Sequence, residues 1–165
     1  YNCTGLTTAP ALPATTLATG CYLAMFNYCT SLTTAPALPA MTLATSCYQY
    51  MFYGCTSLTT APALPASTLA ASCYNLMFYN CTSLTTAPAL PATTLATECY
   101  RAMYQHCTSI SSIEVSFTSW TQATNQTAYW VTNVASSGTF TKPAALAAEY
   151  GTSRIPTGWT VVNKE

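Results

Sequence analysis

The sequence predicts an α/β repeat solenoid, with one short strand and one helix in each 26-residue unit and a C-terminal cap. Three observations lead there. Cys3, Cys29, Cys55, Cys81 and Cys107 stand 26 residues apart, and so do Cys21, Cys47, Cys73 and Cys99; these two ladders hold all nine cysteines. Each interval repeats one text, with Gly5 for its Ser in the first copy and Tyr104 for its Phe in the fourth: Cys-Thr-Ser-Leu-Thr-Thr-Ala-Pro-Ala-Leu-Pro-Ala, a Thr-Leu-Ala stretch, then Cys-Tyr-x-x-Met-Phe-x-x-Cys. Half of the 165 residues are apolar, enough for one core. No unit can bury its Leu, Met, Phe and Cys alone, so the units must share an interior.

Within a unit, residues 32–38 (Leu-Thr-Thr-Ala-Pro-Ala-Leu) are short and bounded by prolines, which suits one strand whose copies lie side by side. The prolines forbid a long ladder. Residues 42–53 carry Leu43, Cys47, Met51 and Phe52 at helical spacing, with Pro39 upstream and Thr42 as a cap, which predicts a helix of two to three turns. Strands repeat at ~4.8 Å and packed helices at ~8–10 Å, so the array should curve with its helices outside. Four regular units and the start of a degenerate fifth fill residues 1–112. Ile110, Ile113 and Val115 continue the apolar positions, but Trp120, Trp130, Phe140 and Trp159 then appear where earlier units have no tryptophan. Residues 113–165 therefore read as the cap, with a strand near 114–120, a helix near 122–133, a strand near 138–141 and a tail.

Charge narrows the function. Only 5% of residues are Asp, Glu, Lys or Arg, against ~25% in ordinary soluble domains, and none precedes Glu98. With no basic patch there is no footprint for a phosphate backbone, so nucleic acid is not an expected partner. Thr, Ser, Asn and Pro interrupt every apolar run short of the ~20 residues that span a bilayer, so no membrane span is expected. The chain opens in mid-motif without an initiator Met or signal peptide, which predicts a fragment of a longer polypeptide.

The same text argues against chemistry. The cysteine gaps are eight and eighteen, unlike the close Cys-x-x-Cys spacing of zinc sites. Their odd total and strict periodicity favour small buried thiols, with bridges between stacked copies as the other reading. His106, the sole histidine, occupies a position held by Tyr28, Gly54 and Asn80 elsewhere, and four scattered glutamates without any aspartate supply no acid–base pair. No enzyme activity, metal or cofactor is expected. Asn2, Asn80 and Asn125 open Asn-x-Thr sequons, which so threonine-rich a chain yields by chance.

The units differ in five columns around the second cysteine: Gly20, Ser46, Ser72, Glu98; Leu23, Gln49, Asn75, Arg101; Ala24, Tyr50, Leu76, Ala102; Asn27, Tyr53, Tyr79, Gln105; and Tyr28, Gly54, Asn80, His106. Interleaved with fixed Tyr, Met and Phe, they would project from the helix as one outward patch, and Tyr, Asn, Ser and Gly are residues that recognition surfaces favour. This predicts a binding surface for a protein or glycan, with a homo-oligomer compatible. Two other readings stand beside it. Thr33 and Thr34, with copies at 59, 60, 85 and 86, could form ranks of hydroxyls and methyls that bind ice. The low charge also suits a structural subunit of an extracellular fibre, where neighbours cover the surface.

The Met-Phe-x-x-Cys-Thr-Ser-Leu run followed by Leu-Pro resembles the BspA-like leucine-rich repeats and related 26-residue bacterial surface-protein repeats, over residues 1–112. The segments Gly-Thr-Phe-Thr-Lys-Pro from Gly138 and Ser-Arg-Ile-Pro-Thr-Gly-Trp-Thr-Val from Ser153 are similar to tails that follow such repeats in proteins of gut Bacteroidales and their phages. The chain departs from the leucine-rich pattern at Ala35 and Ala37 and lacks its Asn ladder. The resemblance implies a leucine-rich-repeat-like fold and adhesion at a cell surface or on a virion, outside the cell, without enzymatic activity.

Overall fold

The computed structural model describes residues 1–164, and among them the expected helices are absent. The only strands among the described residues are β1 (Ser112–Glu114), β2 (Thr139–Pro143) and β3 (Thr160–Lys164), which form one parallel sheet in the order β1-β2-β3. The leucine-rich-repeat-like α/β solenoid read from the sequence is therefore corrected: no unit has a strand-plus-helix pair, and all regular strand lies beyond residue 111.

The physical reason lies in where the amides of residues 20–29 and their copies donate. The amides of Cys21, Leu23, Met25, Asn27 and Cys29 bond back three residues, to the carbonyls of Ala18, Gly20, Tyr22, Ala24 and Phe26. The alternate amides, of Gly20, Tyr22, Ala24, Phe26 and Tyr28, instead reach the carbonyls of Thr45, Cys47, Gln49, Met51 and Tyr53 in the next unit at 2.7–3.0 Å. An α-helix needs every amide to bond four residues back, so this segment is a chain of linked β-turns cross-bonded to its neighbour. Every fourth residue is left-handed: Gly20, Ala24 and Tyr28 have φ of 63°, 54° and 55°, and Ser46, Tyr50 and Gly54 have 55°, 58° and 71°. Each is the third residue of a turn, where type II geometry requires positive φ.

Burial follows this period of four. Cys47 and Tyr48 are buried, Gln49 and Tyr50 face outward, Met51 and Phe52 are buried, and Tyr53 is half-buried. Over residues 48–55 the buried side chains of Tyr48, Met51, Phe52 and Cys55 fall at i, i+3, i+4 and i+7, which is also the helical stripe, so the two geometries share one sequence pattern over this length. Residues 122–133, the second expected helix, form the same turns, with Asn125, Tyr129 and Asn133 left-handed at φ 52°, 58° and 58°.

On the other side of the unit the expected strand at 32–38 shrinks to isolated parallel bridges, Thr8 to Thr34 to Thr60, because Pro36 and Pro39 have no amide to extend them. In the C-terminal region β1 lies ahead of the strand expected at 114–120, β2 covers the one expected at 138–141, and β3 forms from the tail. A Cβ at Gly138 would collide with the Ser111 carbonyl, to which the Thr139 amide donates at 2.8 Å, so glycine lets β2 close on β1.

A single core runs through the molecule. Tyr22, Tyr48, Tyr74 and Tyr100 stack with ring centroids 5.8–6.0 Å apart, and Phe26, Phe52, Phe78 and Tyr104 stack at 5.6–5.9 Å. Both columns end on Trp130, at 6.4 and 6.3 Å. Its indole Nε1 donates to the Arg154 carbonyl at 2.8 Å, and the nitrogens of Trp120 and Trp159 find carbonyls at the same distance. A non-glycine left-handed residue costs about 1–2 kcal/mol. A main-chain bond returns about 0.5–1.5 kcal/mol. Each unit sets two or three of the former against five bonds to the next unit and five within its turns, so the backbone ladder outweighs its left-handed strain.

All nine cysteines are free thiols, seven of them buried. Cys55, Cys81 and Cys107 donate to the carbonyls of Phe26, Phe52 and Phe78 at 3.1, 3.1 and 2.8 Å, so each thiol also ties one unit to the one before. Burial pushes Cys47 up to about 11 and Cys55, Cys99 and Cys107 up to about 12, keeping them protonated.

Candidate recognition surface

Three of the five variable columns are the left-handed positions. Gly20, Ser46, Ser72 and Glu98 have φ between 53° and 63°; Ala24, Tyr50, Leu76 and Ala102 between 50° and 58°; Tyr28, Gly54, Asn80 and His106 between 55° and 71°. In this conformation glycine is cheapest and asparagine next. The chain uses them at Gly20, Gly54 and Asn80, yet keeps Tyr, Leu, Glu and His elsewhere. The other two columns precede left-handed residues; most of their members are exposed or half-buried, whereas Asn27 and Asn75 are buried, as are Gly54 and Ala102 in the left-handed columns. The structure brings part of these columns together in two centres instead of one continuous helical patch.

The first centre is aromatic. Tyr53 and Tyr79 stack at 4.5 Å with rings 6° from parallel; Tyr28 meets Tyr53 edge-on at 5.3 Å, Tyr50 lies 5.9 Å from Tyr53, and Tyr79 meets His106 at 5.2 Å. Tyr28 is 41% exposed. A Cβ on Gly54 would stand 2.6 Å from the Tyr28 ring, so the glycine both accepts the left-handed backbone and gives that ring its seat. Because the Tyr53 and Tyr79 faces cover each other, these rings offer edges and hydroxyls outward. Burial, then the neighbouring Tyr28 and Tyr79 hydroxyls, push the Tyr53 phenol up to about 12. Asn133 Nδ2 donates to His106 Nδ1 at 3.1 Å, which orients the imidazole at the end of the row. Asn80 and Gln105 flank it, half-buried.

The second centre is polar. Ser72 Oγ and Asn75 Nδ2 donate to Glu98 Oε2 at 3.5 and 3.4 Å, and Arg101 Nε lies 3.9 Å from Glu98 Oε1. Half-buried Gly20, Ala24, Ser46, Gln49 and Leu76 and exposed Leu23 make no side-chain hydrogen bond among the described residues. Asn27 and Asn75 are 7% and 2% exposed, so these two face the interior, each with an unpaired Oδ1.

The threonines at 33, 34, 59, 60, 85 and 86 are exposed, and Thr34 and Thr60 pair in register. Consecutive residues of extended chain point to opposite sides, so each pair divides between two directions. The signal for the turn geometry was in the sequence: Asn2, Gly20, Gly54, Asn80, Asn125 and Asn133 all fall on left-handed positions. Chemically the surface offers hydroxyls, amides and aromatic edges, with charge only from Glu98 onward. No family model, curated protein or solved structure matches the chain.

Proposed function

We propose that the chain is a non-catalytic recognition module, an adhesion or receptor-binding part of a bacterial surface protein or phage tail fibre that acts outside the cell. It binds a protein or glycan on a cell surface through the outward pairs of its turns. The observation that carries this reading is the retention of Tyr28, Tyr50, Leu76, Glu98 and His106 at left-handed positions, where glycine costs less. Backbone strain that persists against a cheaper alternative marks functional positions. The clustering of Tyr28, Tyr50, Tyr53 and Tyr79 supports it, since tyrosine brings contact area at low rotamer entropy. The resemblance to 26-residue bacterial surface repeats points the same way.

The test exchanges Tyr50 with Leu76, both half-buried at left-handed positions, and leaves the Gly54 seat of Tyr28 and buried Asn75 untouched. Binding to bacterial cells and to an array of surface glycans should change while the thermal midpoint holds. Unaltered binding by a folded exchange variant overturns the proposal.

A further inference from the structure

The turns of residues 98–106 donate to the carbonyls of Thr124, Gln126, Ala128, Trp130 and Thr132. By the same alternation the amides of Asn125, Thr127, Tyr129, Val131 and Asn133 face away from them, toward the side where a further unit would lie. There the chain crosses at residues 152–154: Val131 donates to the Thr152 carbonyl at 3.2 Å, Tyr129 to Ser153 Oγ at 2.9 Å, and the Thr127 hydroxyl to the Ser153 carbonyl at 3.0 Å. Among the described residues the amides of Asn125 and Thr127 find no acceptor, although Thr127 is only 1% exposed. Buried orphan amides are rare.

Both residues line a cleft of about 590 Å³ whose far wall holds Arg154. The guanidinium donates through Nε to Glu149 Oε2 at 3.0 Å and through Nη1 to the Ser153 carbonyl at 3.0 Å, and it stands 5.5 Å from the Trp120 ring centroid. A guanidinium has five N–H groups, so three remain to donate, and the group is held in place. Turn backbone that passes through a left-handed residue, here Asn125 at φ 52°, lets successive amides converge on an anion. The rest of the lining is uncharged: it mixes apolar Trp120, Ala123 and Ala128 with polar residues, among them exposed Thr121, Thr124 and Asn125.

We propose that this cleft binds a sugar bearing a carboxylate, with the carboxylate on the Asn125 and Thr127 amides and Arg154 and the hydroxyls on the surrounding Thr and Asn side chains. Glu149 already offsets the Arg154 charge, so the site offers one carboxylate hydrogen-bond donors, the free guanidinium N–H groups and two amides, and would repel a dianion. The size is that of small-molecule sites generally. The site lies outside the five variable columns and stands whether or not they bind a receptor.

The experiment follows the amide resonances of the 15N-labelled chain during titration with glucuronic acid, glucose and acetate. Glucuronic acid should shift the Asn125 and Thr127 amides saturably, with glucose and acetate at least about tenfold weaker, as loss of a charge-assisted or a hydroxyl contact implies. Arg154→Gln should weaken glucuronic acid about tenfold with the resonances of residues 48–55 unmoved, and Arg154→Lys should restore part of the binding. An equal response to glucose, no saturable response to glucuronic acid, or shifts that bypass Asn125 and Thr127 overturns the proposal. These wild-type arms decide the matter even if Arg154→Gln does not fold.

Discussion

In residues 20–29 and their copies, alternate amides bond unit to unit, whereas in residues 35–40 and 61–66 no backbone amide finds a backbone acceptor among the described residues. The sequence behaves in the opposite way. Leu-Thr-Thr-Ala-Pro-Ala-Leu-Pro-Ala is identical in four units, while the bonded side changes at every outward position. Main-chain bonds are indifferent to the side chains they carry, so the turns hold their shape while Gly, Ser and Glu, or Tyr, Leu and Ala, exchange on them. On the proline side, residues 35–40 and 61–66 have no such support, although in the 87–92 copy Ala87 and Leu90 donate to the carbonyls of Ser112 and Glu114. The two unsupported segments rest on fixed proline φ and on Leu38, Ala40, Leu64 and Ala66, each at most 3% exposed.

The largest expected effects test whether the proline side truly depends on its side chains. Phe52→Ala removes a fully buried ring stacked on two others and should cost about 3–5 kcal/mol in denaturant unfolding. Leu64→Ala, 2% exposed on the proline side, should cost about 2–5 kcal/mol. A loss under about 1 kcal/mol at Leu64 would show that something other than packing holds that side.

Next in size is an alkaline transition that belongs to the bonded side, where the buried cysteines sit. At neutral pH folded and unfolded chains both hold their thiol protons. As pH rises past the ordinary value of 9.0, the unfolded chain releases protons that burial retains in the fold up to about 11 for Cys47 and about 12 for Cys55, Cys99 and Cys107. Stability should therefore fall steeply between those limits. At pH 8 Cys3 and Cys21, both exposed, should react promptly with a thiol reagent and the other seven only after denaturation. Prompt reaction of all nine in the folded chain would contradict the sealed columns.

The smallest effect is the sharpest discriminator. Ala24 is left-handed at φ 54°, whereas Ala40 is 1% exposed on the proline side and has no positive φ. Ala24→Gly should raise stability by up to about 1 kcal/mol, and Ala40→Gly should lower it by about 0.5–1 kcal/mol. Thermal unfolding of the two variants reads the sign directly, and the same sign in both would remove the distinction between the sides.

The sequence by itself determined the 26-residue repeat, the shared interior lined by its Leu, Met, Phe and Cys columns, the brevity of the pairing around Pro36 and Pro39, and which columns vary. It did not determine the conformation of residues 42–55 or 122–133. Tyr48, Met51, Phe52 and Cys55 satisfy a helix of 3.6 residues per turn and a chain of turns with period four equally well, because the two periods drift apart by only 0.4 residue per turn and the segment ends before they separate. The choice fell to the neighbouring unit. The carbonyls that capture the alternate amides lie twenty-five residues away, and only the folded stack brings them within 3 Å. The cleft beside Arg154 was illegible for the same reason, since the amides of Asn125 and Thr127 go without an acceptor only because the chain crossing at 152–154 meets the neighbouring turns instead.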